Sequence, residues 1–239
     1  MHGATHLLAT DLDGTLVGDK GNLKALLDFY DSQTYKVSLV YITGRYYESA
    51  LSLIKEENLP VPHVLVTDVG TGIYTGQSLE ADLEWAEQLK ERWQPEKVKE
   101  IAKRIPGLTP QDLPLTNRCS YITSDSAVVE AFRSALNRAE IPHKLVYSGG
   151  RDVDVLPPGS GKGQALQYIL DKYQLAESKL LVAGDSGNDA EMLTMGFPSV
   201  IVGNAQPELL AQAEHPFIYR AKEKYAGGIL EAWNHFHTD

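Results

Sequence analysis

Short apolar runs alternate with segments of helical periodicity in the first third of this 239-residue chain, and this alternation restricts the fold more than any other feature. The apolar runs cover residues 7–10, 37–43 and 64–67, each with the length of a buried strand. The intervening segments 23–32 and 46–57 place apolar side chains at helical spacing. Strands that alternate with crossover helices form a parallel sheet with helices on both faces. The sequence therefore predicts a Rossmann-like, doubly wound α/β core.

The middle of the chain has a different pattern. Charged amphipathic helical segments are followed by strand-like segments around one further helix, which is typical of an open antiparallel sheet. We therefore predict a smaller α+β domain over residues 80–158, inserted in a core that comprises residues 1–79 and 159–239. The helical segments are 79–93, 95–104 and 126–139, and the strand-like segments are 118–124, 144–148 and 152–156.

The run at 7–10 opens directly onto two carboxylates, Asp11 and Asp13. Clustered carboxylates repel each other and any nearby anion. A hard divalent cation such as Mg²⁺ removes that repulsion and binds carboxylate and phosphate oxygens. The pair suits one aspartate that attacks phosphorus and a second that moves the proton. The alternative is a strand followed by an ordinary polar turn, since Asp-Gly is a common turn pair.

Three further segments carry the groups that a phosphoryl-transfer site needs. One apolar run leads into an acidic loop with Asp185 and Asp189, another ends in Thr43, and Lys162 lies between two glycines before a helical segment. Ligands of parallel sheets bind at the carboxyl ends of the strands, where Asp11, Thr43 and Asp185 are expected. The Gly-Lys-Gly sequence lacks the spacing of a nucleotide-binding P-loop. For Asp189, the alternative is a helix N-terminal residue that caps free amides.

These four motifs resemble those of the haloacid dehalogenase-like phosphatase superfamily, and they span the chain from Asp11 to Asp189. Within the superfamily, the sequence is similar to the sucrose-phosphate phosphatase branch. The resemblance implies a Mg²⁺-dependent phosphatase that acts on a sugar phosphate through an aspartyl-phosphate intermediate. It also implies that the inserted domain is a cap that selects the substrate. The branch resemblance rests on the segments 148–157 (SGGRDVDVLP), 161–163 (GKG), 202–210 (VGNAQPELL) and 225–231 (YAGGILE).

The substrate expected from this resemblance is sucrose 6-phosphate. The alternatives are mannosylfructose phosphate or a broad range of hexose phosphates, because this chain has Gly72 where the branch usually carries Glu. A phosphosugar mutase is another alternative, since it uses the same intermediate with a sugar hydroxyl in place of water. A non-catalytic binding module would be expected to lack one of the acidic motif residues, and all of them are present.

The resemblance also implies a role for each motif residue. Asp11 is the expected nucleophile, and Asp13 is expected to protonate the leaving sugar oxygen and then to deprotonate the attacking water. Mg²⁺ is expected on Asp11, on the backbone carbonyl of Asp13 and on Asp185. Asp189 and Asn188 are expected to support the metal from the next shell of residues.

The remaining predicted site residues bind the substrate. Thr43, Gly44 and Lys162 are expected to hold the phosphoryl oxygens. Arg45 either reaches the substrate or forms a salt bridge at a helix start, and Arg118 either contacts the sugar or is an ordinary solvated sheet residue. The full prediction has Asp11, Asp13, Thr43 and Lys162 as catalytic residues, Asp11, Asp13, Asp185 and Asp189 at the metal, and Thr43, Gly44, Arg45, Arg118, Gly150, Arg151, Asp152, Lys162 and Asn188 at the substrate.

Composition restricts the partners and the location. The formal net charge of -10 argues against nucleic acid as a partner, because binding to nucleic acid needs a basic surface. The lone Cys119 excludes an internal disulfide and fits a reducing compartment. The N-terminus lacks the pattern of a signal peptide, and no apolar stretch has the length of a membrane span. We therefore expect a cytoplasmic monomer whose partner is a small sugar phosphate.

Overall fold

The computed structural model describes residues 4–114, 116–175 and 177–237; residues 1–3, 115, 176, 238 and 239, which the predicted domains include, lie outside the described residues. Within the described ranges, no helix is both long and apolar enough to cross a membrane. The strands are β1 (His6–Thr10), β2 (Val37–Ile42), β3 (Val64–Thr67), β4 (Gly72–Thr75), β5 (Glu80–Ala81), β6 (Thr109–Pro110), β7 (Cys119–Ile122), β8 (Lys144–Ser148), β9 (Asp152–Leu156), β10 (Lys179–Gly184), β11 (Ser199–Ile201) and β12 (Ile218–Arg220). The α-helices are α1 (Lys20–Ser32), α2 (Tyr47–Glu56), α3 (Leu83–Lys90), α4 (Pro95–Ala102), α5 (Ser126–Arg138), α6 (Lys162–Lys172), α7 (Ala190–Leu193), α8 (Pro207–Gln212) and α9 (Ala226–His237).

The larger sheet, called the core sheet below, has eight strands within the described residues, in the order β12-β11-β10-β1-β2-β3-β4-β5. The strands from β12 to β3 pair in parallel, whereas β4 and β5 form antiparallel pairs at one edge. β1 is central because it pairs with both β10 and β2. The predicted doubly wound α/β core is confirmed.

Each face of the core sheet buries its own apolar cluster. On one face, Leu26 of α1 and Trp233 of α9 pack with Tyr41 of β2. On the other face, Leu166 of α6 packs in a cluster with Val40 of β2. Successive side chains of a strand point to opposite faces, and both faces are covered here. A strand buried on both faces is a continuous apolar run, which explains why the core strands were visible in the sequence.

The smaller sheet, called the cap sheet below, is antiparallel and has the order β6-β7-β9-β8 among the described strands. α4 and α5 cover its apolar face. Val98 of α4 and Phe132 of α5 are fully buried and pack in one cluster with Val153 and Val155 of β9. This cluster is separate from the two clusters of the core sheet. The cap sheet and its helices therefore form the α+β unit that the sequence predicted.

The first boundary of this unit differs from the predicted one at residue 80. β5 pairs with β4 in the core sheet, and Trp85 and Leu89 of α3 pack in a core cluster. Trp93 is the first residue along the chain that packs in the cap cluster. A two-residue exposed strand carries no sequence signal, so the charged helix that follows it was assigned to the wrong unit. We propose a boundary between Lys90 and Trp93.

The separate cap cluster leads to a prediction about stability. Replacement of Phe132 by Ala is expected to lower the free energy of unfolding by about 3–5 kcal/mol, because it leaves a cavity between α5 and the cap sheet. Urea denaturation followed by circular dichroism measures the change. Phe217→Ala is the matched control, because that side chain is 51% exposed, and we expect a change of about 0.5 kcal/mol or less. Equal losses in the two variants would contradict the assignment of Phe132 to a packed core.

Candidate active site

Two acidic loops meet at the carboxyl edge of the core sheet. Asp11 follows β1, and Asp185 follows β10, the parallel neighbour of β1. The backbone amide of Asp11 donates to the carbonyl oxygen of Ala183 at 3.0 Å, which fixes the first loop against the end of β10. Both carboxylates are buried. The strand order therefore brings together two acids that are far apart in the sequence.

Asp11, Asp185 and Asp189 form an acidic triad at this edge. One carboxylate oxygen from each residue lies within 4.8 Å of the other two. Thr15 Oγ1 donates to Asp185 Oδ1 at 2.9 Å. Asp189 Oδ2 accepts from the backbone amides of Asp185 and Ser186, at 3.0 Å each. Carboxylate oxygens at this spacing suit a hard divalent cation, so the residues present fit a metal site.

The Lys162 side chain is fully buried beside the triad. α6 begins at Lys162, and Gly161 before it has φ = 121°, a backbone conformation that favours glycine. Lys162 Nζ donates to Asp11 Oδ1 at 2.6 Å and to Asp189 Oδ1 at 2.7 Å. Burial lowers the pKa of Lys162, but the two carboxylates outweigh burial and raise the pKa above its ordinary value. Lys162 therefore places a fixed positive charge at the triad.

Burial has the opposite effect on the acids. It raises the pKa of Asp185 to about 7, and the neighbouring Asp189 carboxylate adds to the rise. Burial also raises the pKa of Asp11 well above its usual value, although Lys162 opposes the rise. A cation beside these oxygens would favour the ionised carboxylates. The electrostatics of the triad therefore agree with its geometry as a metal site.

Asp13 lies outside the triad, and its side chain is 49% exposed. Arg45 Nε donates to Asp13 Oδ2 at 2.7 Å, and Arg45 Nη2 donates to Asp13 Oδ1 at 2.8 Å. Arg45 Nη1 donates to Ser49 Oγ at 2.9 Å. Of the two sequence alternatives for Arg45, the structure contains the salt bridge. The partner of Arg45 is Asp13, the residue that the sequence predicts to transfer a proton to the leaving sugar oxygen.

The Thr43 loop, residues 43–45, follows β2. The Thr43 side chain is buried, and its Oγ1 accepts from the backbone amide of Arg45 at 3.1 Å. The carbonyl oxygen of Gly44 accepts from Arg118 Nη2 of the cap at 2.9 Å. Arg118 is only 7% exposed. The alternative that Arg118 is an ordinary solvated sheet residue is therefore wrong.

A cleft of about 270 Å³ opens between the core and the cap. It brings together residues from the three core motifs at the strand ends and from all four described cap strands or the residues next to them. The predicted site residues that line the cleft are Asp11, Asp13, Thr43, Gly44, Arg45, Arg118, Asp152 and Asn188, and the other lining residues are Val69, Gln111, Ser148, Asp154 and Ser186.

Six residues named from the sequence do not line this cleft. Three of them, Lys162, Asp185 and Asp189, are buried, and the others are Gly150, Arg151 and Gly72. Gly150 and Arg151 are exposed at the turn between β8 and β9. Asp152 and Asp154 face the cleft, and side chains alternate along a strand, so Arg151 has the opposite phase. Gly72, where the branch usually carries Glu, lies in β4 and lines a neighbouring cavity instead. Of the three neighbouring residues predicted at the substrate, Gly150, Arg151 and Asp152, only Asp152 lines the cleft.

The sequence reasoning did not name five residues of the cleft lining, and Gln111 and Asp154 show what signal was available for them. Gln111 follows the two-residue strand β6, and its Nε2 donates to Asp152 Oδ1 at 3.0 Å. No local pattern marks Gln111, because it meets Asp152 only through the fold of the cap sheet. Asp154 is different, since its position two residues after Asp152 places it on the same strand face. That alternation was a usable signal.

The fold and the site together define the class of protein. The doubly wound core, the inserted cap, the acidic triad at the strand ends and the buried lysine are those of a haloacid dehalogenase-like hydrolase. The chain belongs to the sucrose-6F-phosphate phosphohydrolase family, whose model matches residues 4–237. Both levels of the resemblance inferred from the sequence are confirmed.

Individual relatives agree with the family. The structure is similar to that of the sucrose-phosphatase from Synechocystis sp. PCC6803 in complex with sucrose and phosphate, with a TM-score of 0.91, 38% identity, and coverage of 99% of this chain and 98% of that one. The sequence is 33% identical to a mannosylfructose-phosphate phosphatase from Agrobacterium fabrum over 96% of each chain. It is 36% identical to a glucosylglycerol-phosphate synthase from Pseudomonas anguilliseptica over 96% of this chain and 30% of the synthase. The chain spans 58–59% of the length of the plant sucrose-phosphatases that it matches.

The contacts of Lys162 lead to a prediction about stability without metal. Lys162→Met leaves the Asp11 and Asp189 carboxylates buried without their cation. In EDTA, we expect the free energy of unfolding to fall by about 3–5 kcal/mol, measured by urea denaturation. Lys24→Met is the control, because Lys24 forms an exposed ion pair with Asp28 and should change little. A Lys162→Met protein as stable as the wild type would show that the triad does not depend on this cation.

Proposed function

We propose that the protein is a phosphatase that hydrolyses sucrose 6-phosphate to sucrose and inorganic phosphate. The observation that carries the proposal is the buried Asp11 carboxylate, which lines the cleft and contacts the Lys162 ammonium. An anionic nucleophile attacks a phosphate dianion only where neighbouring cations offset the repulsion. Family membership supports sucrose 6-phosphate as the substrate, and the similarity to a mannosylfructose-phosphate phosphatase supports a second disaccharide phosphate.

We assign Mg²⁺ to the acidic triad. Asp11 and Asp185 are the proposed side-chain ligands, and Asp189 supports them while it holds two backbone amides of the same loop. When bound, Mg²⁺ neutralises charge on the phosphoryl oxygens and orients them toward the nucleophile. The all-oxygen donor set favours Mg²⁺ over metals that prefer histidine or cysteine ligands.

The proposed reaction has two steps. A carboxylate oxygen of Asp11 attacks phosphorus, the bond from phosphorus to the sugar oxygen breaks, and Asp13 gives its proton to that oxygen. A water molecule then attacks the phosphorus of the aspartyl phosphate while Asp13 takes its proton, and the bond to Asp11 breaks. Both Asp13 oxygens accept hydrogen bonds from Arg45 in this structure. At least one of these hydrogen bonds must break before an Asp13 oxygen can carry the proton that it donates.

We assign two core side chains, those of Thr43 and Lys162, to the phosphoryl group. The Thr43 hydroxyl accepts from the Arg45 amide, which leaves its own proton for a phosphoryl oxygen. Lys162 supplies positive charge where negative charge develops in the transition state. Asn188 lines the same cleft from the second acidic loop.

The cap wall of the cleft is suited to a sugar. Gln111 and Asp152 form a hydrogen-bonded pair at the cleft, and such groups accept from and donate to hydroxyls. We therefore propose Asp152, Gln111 and Ser148 as sugar contacts. Gly150 and Arg151, which are exposed outside the cleft lining, are not included.

A substrate panel tests the proposed function. Phosphate release in Mg²⁺ is measured with sucrose 6-phosphate, mannosylfructose phosphate, glucose 6-phosphate, fructose 6-phosphate and p-nitrophenyl phosphate. We expect kcat/KM to be highest for sucrose 6-phosphate, and Asp11→Asn to reduce kcat at least about 10³-fold because the nucleophile is lost. Asp31→Asn, on an exposed helix surface, is the matched control. A preference for mannosylfructose phosphate would reassign the substrate, and activity that survives in Asp11→Asn would reject the mechanism.

The metal assignment predicts a thermal shift. A divalent ion that binds only the folded protein at about 100 times its dissociation constant adds about 2.7 kcal/mol, which raises Tm by roughly 5–10 °C. We expect this rise when MgCl₂ is added to EDTA-treated protein, measured by differential scanning fluorimetry. Asp185→Asn should lose most of the rise, whereas Asp31→Asn should keep it. The same rise in Asp185→Asn would place the ion elsewhere.

A further inference from the structure

Arg118 is a buried cation that joins the cap to the core. It precedes β7, and its side chain is 6% exposed. Nη1 donates to Asp154 Oδ1 of the cap at 3.0 Å, and Nη2 donates to the carbonyl oxygen of Gly44 at 2.9 Å. Nε lies 3.5 Å from Asp68 Oδ1 of the core. Two of the three guanidinium nitrogens are therefore engaged by protein groups on opposite sides of the cleft.

The core groups that Arg118 reaches belong to two loops that are hydrogen-bonded to each other. Asp68 begins a short turn, residues 68–70, after β3. Its amide donates to the carbonyl oxygen of Arg45 at 2.8 Å, and the amide of Val69 donates to that of Thr43 at 3.1 Å. The Thr43 loop is therefore supported by this turn, and Arg118 contacts both.

The supporting turn has an unfavourable backbone conformation. Asp68, Val69 and Gly70 have φ values of 55°, 57° and 97°. A β-branched residue such as Val69 is an outlier in the left-handed region, and such a conformation persists only where surrounding contacts hold it. Arg118, which approaches from the cap, is one of those contacts.

The charge balance around Arg118 is incomplete. Asp68 and Asp154 are both buried, and they share one guanidinium. Among the described residues, Asp68 Oδ1 and Arg118 Nε are buried polar atoms without a hydrogen-bond partner, and they face each other. A displacement of the cap by a few tenths of an ångström toward the core would bring this pair within hydrogen-bond distance. The distance between Arg118 Nε and Asp68 Oδ1 therefore depends on the position of the cap relative to the core.

We infer that Arg118 is a positioning residue: closure of the cap places its guanidinium between Asp154 and Asp68 and so holds the Thr43 loop in the geometry that binds the phosphoryl group. This inference rests on the proposed phosphatase function. It replaces the sequence expectation that Arg118 contacts the sugar. Because Arg118 acts through the Thr43 loop, which binds the phosphoryl group, its loss should lower the activity on any phosphate ester, with or without a sugar.

Kinetics on two substrates distinguish the roles. In Arg118→Met, we expect kcat/KM to fall about 100-fold for both sucrose 6-phosphate and p-nitrophenyl phosphate, and competitive inhibition by inorganic phosphate to weaken. Arg118→Lys keeps the charge but replaces the planar guanidinium with a single nitrogen, so it should recover less than a tenth of the activity. A loss confined to sucrose 6-phosphate would overturn the inference in favour of a sugar contact, and unchanged activity on both substrates would also overturn it.

A second variant removes a cap–core contact that does not involve the Thr43 loop. Glu208 Oε1 accepts from the backbone amide of Gly149 in the turn between β8 and β9, at 2.8 Å. Glu208→Ala, which deletes the accepting oxygen, should leave kcat/KM within about twofold of the wild type on both substrates. A loss of activity as large as that in Arg118→Met would mean that the loss of any contact between the cap and the core reduces activity. That result would overturn the specific role of Arg118.

Hydrogen exchange tests the inference without any substrate. The amides of Asp68 and Val69 report the contact between the turn and the Thr43 loop. In substrate-free protein, we expect them to exchange at least about tenfold faster in Arg118→Met than in the wild type or in Glu208→Ala. If Arg118→Met does not fold, Asp68→Asn, which weakens the same contact, should show the same faster exchange at Val69. Unchanged exchange would overturn the inference, whereas faster exchange in a protein that is inactive on every substrate would reject only the proposed function.

Discussion

The buried contact between Lys162 and the carboxylates of Asp11 and Asp189 is the interaction on which the site depends. Three buried carboxylates within 4.8 Å of one another are unfavourable in a low-dielectric interior, because each loses its hydration and repels the others. One ammonium offsets one of these charges. With every carboxylate ionised, the four groups retain a formal charge of minus two, which is the charge that one divalent cation neutralises. The charge that the residues of the site leave uncompensated therefore matches that of one divalent metal ion.

The core sheet determines where this cluster forms. β1 lies between β10 and β2, so the loops that leave these three strands converge on one edge. The side chains that meet there come from distant parts of the chain, as in the hydrogen bond from Thr15 to Asp185. Because the strands are buried on both faces, their ends cannot shift without disturbance of two packed clusters. The rigid sheet thus holds charged groups at distances that their mutual repulsion would otherwise increase.

The sequence predicts what is encoded locally and misses what depends on register or on distant contacts. The buried strands and the acidic loops after them were visible because apolar runs and Asp-Gly turns are local signals. The cap boundary was misplaced because β5 is too short to have a pattern, and Arg151 was placed toward the substrate because the phase of β9 follows from pairing. The burial of Arg118 depends on Asp68 and Gly44, which belong to another domain and to other loops. No window of the sequence contains those partners.

The distribution of charge across the cleft supports the proposed binding of a sugar phosphate with its phosphate end toward the core. Asp152 and Asp154 lie on the cap wall, and the guanidinium of Arg118 is already shared between Asp154 and Asp68. The cap wall therefore repels a phosphate dianion but accepts hydrogen bonds from hydroxyls. Positive charge available to the phosphate is concentrated at the core, at Lys162 and at the proposed metal. In a protein with a net charge of -10, long-range attraction of an anion is absent, so these local charges orient the substrate. Repulsion from the cap and attraction to the core act in the same direction, and both favour the proposed orientation, with phosphorus at Asp11.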